Sequence, residues 1–416
     1  MELNMENTVR SACCKSINLH VATLMILLSL NFIPAAQANN NRALGDNTIF
    51  AESLHPNKKV IGILTSGGDC SGLNSILRAA YLRAKQKGYK IIGFKYGAHG
   101  MINDNWLELN DENCSADLLW QGGSILKCNT KEVCKGKKSI SQEESEQEII
   151  NTYKKHNLAG LIYIGGDGST RIMKSILKRD DTLKIVAVPK TIDNDICNTD
   201  IAVGFSTAIH TVSQAIQALQ STAKTHERIM VVEVMGRAAG YISLYAGLSS
   251  GADVILIPES KYQMSEIYER MHKIFGPGGK KFSIIIVSEA VEFGSDKYKV
   301  NHVSDTLKRV QYGGIAQKIA VALKEQGFDA KAVCLGHIQR GGTPTPEDRL
   351  LGLDFGYSAI NIICDPRNSG NCQLGYIDGK IISIKLDAIN ETKRNLKADD
   401  HLITLASDLG IYIGDF

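Results

Sequence analysis

The sequence predicts an α/β protein with two doubly wound parallel sheets and an active site in the cleft between them. Short apolar runs alternate with helical patterns, which is typical of right-handed βαβ units. A second series of such runs begins near Arg228, and 416 residues are more than one ordinary core needs. We therefore expect two domains, each with its own sheet.

The apolar runs predict the strands in order. The first series gives strands at 60–64, 90–94, 158–164 and 183–188, with a helix after Gly72. The second series gives strands at 229–234, 254–257, 282–287 and 332–335, with helical patterns between them. The acidic run 143–148 predicts the start of a further helix, because carboxylates stabilise a helix N-terminus.

The first 57 residues form an extension ahead of the first predicted strand. The apolar run 21–30 follows Arg10 and Lys15, and the small residues of 36–38 resemble a cleavage site, so segment 21–38 predicts a secretory signal peptide. The alternatives are an unused upstream start or a loosely ordered extension. Residues 39–56 are polar and predict disorder.

Composition and charge exclude several classes of protein. Hydrophobic residues make up 44% of the chain and charged residues 22%, which is typical of a soluble globular protein. The net charge of +3 gives no support for binding nucleic acid or an acidic surface. The 10 cysteines show no metal-ligand spacing and suit a reducing compartment better than a disulfide framework.

The run 158–170 carries the strongest local signal. Its apolar residues predict a buried strand that opens through Gly165 and Gly166 onto a helix N-terminus. Glycines let the backbone approach phosphate oxygens, and the first amides of a helix point at them. The pattern predicts a phosphate site, with Asp167 placed to hold Mg2+.

Four other segments place glycines with charged residues after predicted strands. A second strand and glycine loop lies at 59–74, two acids follow a strand at 189–195, and basic residues accompany glycines at 232–240 and 334–342. In open α/β sheets, ligands bind outside the carboxyl ends of the strands. We therefore expect one site with acids on one side and cations on the other.

Together these five motifs, in this order, resemble the 6-phosphofructokinase family over roughly residues 58–360. NAD kinases and diacylglycerol kinases resemble the chain only at the Gly-Gly-Asp-Gly loop. The resemblance implies phosphoryl transfer from ATP, with Mg2+, to the C1 hydroxyl of fructose 6-phosphate. Pyrophosphate-dependent enzymes of the same family and a non-catalytic sugar-phosphate-binding homologue are the alternatives.

The resemblance assigns the catalytic roles. Asp193 is implied as the general base, Thr191 as the hydrogen-bond donor to the moving phosphoryl group, and Arg237 as a clamp on the substrate side. Asp195 either orients Asp193 or reaches the metal. The implied nucleotide-phosphate positions are Gly68, Gly166, Asp167, Gly168 and Ser169, with Mg2+ on Asp167. The implied substrate positions are Thr191, Ile192, Asp193, Arg228, Met235, Gly236, Arg237, Glu289, Lys331, His337 and Arg340.

Three positions depart from the family pattern. Lys331 stands where bacterial ATP enzymes usually have an arginine that reaches the 6-phosphate from a neighbouring subunit, and a lysine loses the bidentate fork. Thr130 stands where an arginine usually contacts the nucleotide, so either Lys127 or Lys131 substitutes or the contact is absent. Effector-binding arginines are only partly recognisable around Arg78 and Arg83.

Two positions predict the phosphoryl donor. Pyrophosphate users resemble one another in having Asp at the position of Gly168 and Lys at position 190, whereas most bacterial ATP users have Gly at both. This chain combines Gly168 with Lys190 and so resembles the ATP-dependent plant and protozoan branch. Gly168 leaves room for the α-phosphate of a nucleotide, which favours ATP.

The resemblance also implies an organisation. The donor domain would comprise 58–204 plus 341–395, and the sugar-phosphate domain 205–340 plus 396–416, after the extension 1–57. We expect a homo-oligomer, a tetramer or a dimer, without stable membrane insertion. Cytoplasmic action suits the substrates, and the alternative from segment 21–38 is export or organelle targeting. A non-catalytic homologue would be expected to lack Asp193, Thr191 or Asp167, and all three are present.

Overall fold

The computed structural model describes residues 59–129, 134–135, 138–293, 312–368, 370–389 and 393–416. The predictions made for the extension 1–57, for Thr130 and for Lys131 lie outside these residues. Within them the alternation of strands and helices follows the predicted order.

The strands are short and mostly buried. They are β1 (Val60–Thr65), β2 (Lys90–Phe94), β3 (Trp106–Glu108), β4 (Cys134–Lys135), β5 (Lys138–Ser139), β6 (Leu158–Gly165), β7 (Ile185–Pro189), β8 (Ile229–Val234), β9 (Val254–Leu256), β10 (Ser283–Ser288), β11 (Ala330–Cys334), β12 (Cys372–Ile377) and β13 (Lys380–Lys385). The α-helices are α1 (Leu73–Gln86), α2 (Ala98–Ile102), α3 (Gln142–Lys155), α4 (Asp167–Arg179), α5 (Phe205–Thr225), α6 (Tyr241–Ser249), α7 (Met264–Phe275), α8 (Ile315–Glu325), α9 (Pro346–Cys364) and α10 (His401–Asp408).

Two sheets of different size carry the fold. The large sheet has the order β13-β12-β7-β6-β1-β2-β3 and the small sheet the order β11-β8-β10-β9. The small sheet is parallel throughout, as predicted. The large sheet is parallel from β12 to β2 but antiparallel at both edges, where β3 pairs with β2 and β13 pairs with β12. The parallel prediction therefore missed both edge strands. A tight turn at Asp378 and Gly379 joins β12 to β13, and only the short helix α2 lies between β2 and β3, so neither edge carries a βαβ signal.

The centre of the large sheet is covered on both faces. Seven of the eight residues of β6 are buried, which explains its continuous apolar sequence. The chain passes from the large sheet to the small sheet between β7 and β8, and returns between β11 and β12. These crossings are compatible with the two expected domains, whose boundaries stay a prediction.

Two close contacts fix α1 and the loop ahead of it to the rest of the fold; we call this loop, residues 66–72, the first glycine loop. A Cβ on Gly356 of α9 would lie 2.3 Å from the main-chain oxygen of Ile76 of α1, so only glycine permits this helix crossing. Ser71 Oγ, just before α1, donates to the main-chain oxygen of Gly342 at 2.7 Å. The loop ahead of α1 is thereby held against the turn that follows the last strand of the small sheet.

A buried carboxylate fixes the start of α5. Asp348, fully buried in α9, accepts hydrogen bonds from the main-chain amides of Gly204 and Thr207 and from the Thr207 hydroxyl. These bonds satisfy amides that a helix N-terminus leaves without intrahelical partners. No helix among the described residues is long and apolar enough to cross a membrane.

Candidate active site

The predicted loops converge because their strands are neighbours. β7, β6 and β1 lie side by side and parallel, so the loops that contain Asp193, Gly166 and Gly68 leave the same edge of the large sheet. The carboxyl ends of β8 and β11 supply the loops with Arg237 and Arg340. The loops with acidic residues and the loops with basic residues thus all follow the carboxyl ends of parallel strands.

The first glycine loop is held by two cations. Lys190 Nζ donates to the main-chain oxygen of Gly68 at 2.5 Å, and Arg340 Nη1 donates to that of Asp69 at 3.1 Å. A Cβ on Gly68 would lie 2.8 Å from Arg340 Nη1, so the arginine covers the loop directly. Lys190 is 3% exposed, and this burial lowers the pKa of its ammonium group. Arg340 thus contacts the predicted donor loop in addition to any role at the sugar phosphate.

The second glycine loop forms a helix N-terminus, as predicted. Gly166 precedes α4, and Asp167 lies in the first turn with one carboxylate oxygen 3.5 Å from Arg171 Nη2. Apart from its chain neighbours and the backbone of its own helix, an added Cβ on Gly168 would meet no protein atom within 4 Å, so the space beside it is open. Ser169 is buried, and a Cβ on Gly165 would overlap its hydroxyl, which places that hydroxyl beneath the loop.

Asp193 is buried with one carboxylate oxygen unused. Its Oδ1 has no hydrogen-bond partner, and its main-chain N–H donates to Thr191 Oγ1 at 3.1 Å. Burial, followed by the charge of Asp195, raises the pKa of Asp193, while the charges of Arg237, Arg340 and Lys393 partly offset the rise. Because Thr191 Oγ1 already accepts a hydrogen bond, its own proton can be directed at an incoming oxygen. Ile192, between them, packs in the core.

The loop after β8 is shaped by backbone conformation and one carboxylate. Arg237 has φ of 52°, and its main-chain N–H donates to Glu289 Oε1 at 3.1 Å. Gly236 has φ of 138°, and a Cβ there would lie 2.6 Å from the main-chain oxygen of Ala239. Desolvation raises the pKa of Glu289. This geometry points the exposed Arg237 side chain at Asp193, with Nε 3.9 Å from Oδ2.

Gln339 connects the two basic loops, which sequence reasoning missed. It is 1% exposed, its Oε1 accepts from the main-chain N–H of Met235 at 3.2 Å, and its Nε2 donates to the main-chain oxygen of Gly336 at 2.9 Å. The turn at 336–340 is therefore fixed relative to the loop after β8. His337 on this turn is exposed.

Arg228 and Lys331 lie away from this cluster. Both stand at the amino ends of their strands, and both contact Asp329, at 3.2 Å from Arg228 Nε and 3.1 Å from Lys331 Nζ. The hydrogen bond from Lys331 lowers the pKa of Asp329. Because a strand rises about 3.3 Å per residue, Arg228 lies roughly 20 Å along β8 from its carboxyl end. One chain does not bring these two residues to Asp193.

Among the described residues, a cation could bind only single carboxylates and not a ready-made cluster of ligands. No group of three or more His, Cys, Asp or Glu residues among them could hold a metal ion. Mg2+ usually keeps several waters and takes one or two protein carboxylates together with substrate phosphates. Asp167, in the first turn of α4, fits that mode.

The site combines glycine loops, a buried carboxylate and facing arginines, all at the carboxyl ends of parallel strands. This combination is that of an enzyme that transfers phosphoryl groups. Comparison with known proteins gives the family. The phosphofructokinase family model matches residues 60–363, and the chain belongs to this family.

The chain is similar to curated proteins over most of its length. It is 37% identical over 363 residues to the ATP-dependent 6-phosphofructokinase 1 of Nostoc sp. (strain PCC 7120), covering 85% of this chain and 98% of that protein. It is also 37% identical over 309 residues to the pyrophosphate--fructose 6-phosphate 1-phosphotransferase of Dictyoglomus thermophilum, covering 74% and 86%.

Solved structures agree with the fold. The Pichia pastoris phosphofructokinase in the T-state matches with a TM-score of 0.67 and 26% identity, over 80% of this chain and 35% of that longer chain. The pyrophosphate-dependent phosphofructokinase of Nitrosospira multiformis matches with a TM-score of 0.69 and 18% identity, over 86% and 93%, and supports the fold alone.

Proposed function

We propose that this protein transfers the γ-phosphoryl group of ATP to the C1 hydroxyl of D-fructose 6-phosphate, giving fructose 1,6-bisphosphate and ADP in glycolysis. The observation that carries the proposal is the unpartnered, buried Oδ1 of Asp193 at the edge where the glycine loops and arginines meet. A buried carboxylate with a raised pKa and a vacant acceptor suits a general base.

The reaction would proceed by in-line transfer. The C1 hydroxyl approaches the γ-phosphorus while Asp193 takes its proton, and the bond from the γ-phosphorus to the β,γ-bridging oxygen breaks. Thr191 donates a hydrogen bond to the moving group, and Arg237 offsets the charge that accumulates in the cleft. The product proton remains on Asp193 until water removes it.

The donor phosphates would lie on the two glycine loops, against Gly68, Gly166 and Gly168. Asp167 would hold Mg2+, which neutralises charge on the phosphates when it is bound. Ser169, whose hydroxyl lies beneath the loop and whose main-chain N–H donates to the main-chain oxygen of Gly166 at 2.9 Å, would hold the shape of the loop that lines the phosphates.

The sugar phosphate would lie towards the small sheet. Met235, Gly236, Glu289, His337 and Arg340 stand on loops at its carboxyl edge, which supports their assignment to this substrate. Arg228 and Lys331 would reach the 6-phosphate of a neighbouring subunit, so we propose a homo-oligomer, either a tetramer or a dimer.

ATP is favoured over pyrophosphate by the open space at Gly168. A donor with an α-phosphate and a nucleoside needs that space, whereas pyrophosphate does not. The Dictyoglomus relative is named for pyrophosphate, so pyrophosphate is the second candidate donor. We propose cytoplasmic action, because ATP and fructose 6-phosphate are metabolites of that compartment.

The test is a direct assay of purified protein. Fructose 1,6-bisphosphate is measured with Mg-ATP as donor and, separately, with Mg-pyrophosphate. Product with ATP alone supports the proposal, and product with pyrophosphate alone replaces the donor. No product with either, in protein that binds fructose 6-phosphate by calorimetry, indicates the non-catalytic homologue.

A further inference from the structure

A segment near the C-terminus, residues 393–396, contacts the loop that carries Asp193. Lys393 Nζ lies 2.5 Å from Asp195 Oδ2, and the main-chain N–H of Arg394 donates to the main-chain oxygen of Asp195 at 3.0 Å. The Asp195 side chain is 7% exposed, so the carboxylate is buried and the ammonium group covers it. We call residues 393–396 the strap and residues 191–195 the acid loop.

Arg394 extends the strap along the acid loop and beyond it. Its Nη1 donates to the main-chain oxygens of Thr199 at 3.0 Å and Asp200 at 2.7 Å. Its guanidinium also stacks on the ring of Tyr241, 5.0 Å from the centroid. Tyr241 is the first residue of α6, four residues after Arg237, so one side chain contacts segments from both sheets.

The end of the strap has a second contact near the loop after β8. The main-chain N–H of Leu396 donates to Glu259 Oε1 at 3.3 Å, and the same oxygen accepts from the main-chain N–H of Gly240 at 3.0 Å. The strap therefore connects the acid loop with the segment that follows Arg237.

The ammonium group of Lys393 offsets negative charge in the acid loop. Asp193 and Asp195 are two buried carboxylates two residues apart, and like charges in a poorly solvated site repel each other. Arg237 and Arg340 face Asp193 from other loops, Lys190 lies just ahead of the acid loop, and Glu289 adds further negative charge. Lys393 makes the ion pair with Asp195, and removing it would leave a buried carboxylate without its cation, which is costly.

We propose that Lys393 is a positioning residue for phosphoryl transfer: through Asp195 it holds the acid loop in place, and the strap sets that loop against the one that carries Arg237. This inference rests on the proposed function for its kinetic consequence. The mechanical consequence, order in the acid loop, does not depend on turnover.

The kinetic test is a double-mutant cycle with Lys393→Met and Asp195→Asn. Lys393→Met should lower kcat about tenfold with little change in the KM for ATP, because the base is misplaced while the donor loops are untouched. In the Asp195→Asn background the same change should cost less than about twofold, since the partner charge is already gone. Lys393→Arg, which keeps the charge, should retain most of the wild-type kcat.

The mechanical test is amide hydrogen exchange of the peptide that contains residues 191–202. Lys393→Met should raise its exchange rate several-fold without lowering the melting temperature enough to unfold the protein. The matched control is Lys397→Met. Lys397 is an exposed lysine four residues after Lys393, and it is the main-chain N–H of Lys397, not its ammonium group, that donates to the Asp400 carboxylate. It should leave both exchange and kcat unchanged.

The outcomes separate the two proposals. An inactive wild type with both donors would refute the proposed function, while exchange still decides whether Lys393 orders the acid loop. If wild type is active but Lys393→Met matches it in kcat and exchange, the inference about Lys393 is wrong. An equal loss of kcat in both backgrounds also overturns it, since the effect would not pass through Asp195.

Discussion

The guanidinium of Arg237 lies 3.9 Å, from Nε to Oδ2, from the carboxylate of Asp193, although the two residues follow strands of different sheets. The arginine side chain is 55% exposed, so solvent screens this pair and it adds little to stability. Its consequence is chemical. A cation beside a buried carboxylate limits the rise of its pKa and, in the proposed reaction, would face the space where phosphoryl charge develops.

Replacing Asp193 tests its proposed role as the general base. Asp193→Ser should lower turnover by roughly two to four powers of ten, the usual contribution of a positioned base, with folding and sugar-phosphate binding nearly intact. The measurements are kcat by coupled assay and fructose 6-phosphate affinity by calorimetry. Near wild-type turnover would remove Asp193 from the base role.

The same residue should destabilise the protein at neutral pH. Because burial raises the folded-state pKa of Asp193 above the unfolded value of 3.8, the native state binds its proton more tightly. Its contribution to stability is therefore fully present below pH 3.8 and is lost as pH rises through the higher folded pKa.

Asp193→Asn should consequently raise the melting temperature by a few degrees at pH 7, and the gain over wild type should shrink as pH falls towards 4. Thermal unfolding across this pH range checks the sign. A variant that melts lower than wild type at pH 7 would mean that the ionised carboxylate is stabilised by its cations more than burial costs it.

The sequence predicted most strands because apolar runs are local signals. β2 and β8 begin and end where the runs do, whereas β11 starts two residues earlier than expected, at the buried Ala330. The glycine loops were also predictable, since glycine, strand and helix start are adjacent in the chain.

Contacts between distant residues were not predictable. Lys393 lies 198 positions from Asp195, and Gln339 lies 104 positions from Met235, so no periodicity or spacing relates them. Arg340 was expected at the sugar phosphate, yet only the fold reveals its bond to Asp69 in the first glycine loop. The antiparallel edges of the large sheet likewise depend on pairing that no single segment encodes.

The proposed metal ligand gives a third prediction. Asp167→Ala should raise the Mg2+ concentration needed for half-maximal turnover by roughly tenfold or more, since even loss of an outer-shell partner has that effect. The control is Arg171→Ala, which removes the cation 3.5 Å from Asp167 but keeps the carboxylate. Unchanged Mg2+ dependence in Asp167→Ala would place the metal on other ligands.

Assembly is tested through Arg228, which lies far from the Asp193 of its own chain. Arg228→Met should raise the KM for fructose 6-phosphate roughly 10- to 100-fold, the value of a charge-assisted hydrogen bond, with the KM for ATP nearly unchanged. Co-refolding Arg228→Met with Asp193→Ser should then restore activity. In such hybrids some sites combine an intact base from one subunit with an intact Arg228 from the other.

Sedimentation shows whether oligomers form, and retention of both variants through an affinity tag on one parent shows whether they are mixed. If mixed oligomers assemble but, at a fructose 6-phosphate concentration well below the KM of Arg228→Met, are no more active than the parents, Arg228 does not act in a neighbouring subunit. Active wild-type monomers would contradict the same prediction directly.

Gly168→Asp should shift donor preference away from ATP. The new Cβ would meet no protein atom within 4 Å beyond its chain neighbours and its own helix backbone, so the variant should fold normally and its carboxylate should enter the space left for the donor. Two unit charges 4 Å apart repel by about 4 kcal/mol at an effective dielectric of about 20, which predicts a loss of roughly two to three powers of ten in kcat/KM for ATP. Pyrophosphate carries no nucleoside-linked α-phosphate there, so its use should stay level or appear.

The control is Gly168→Asn, which is equal in size to Gly168→Asp but uncharged. It separates repulsion from crowding and should lose much less kcat/KM for ATP. If Gly168→Asp keeps its efficiency with ATP, this glycine is not what admits the nucleotide, and the preference for ATP loses its structural basis.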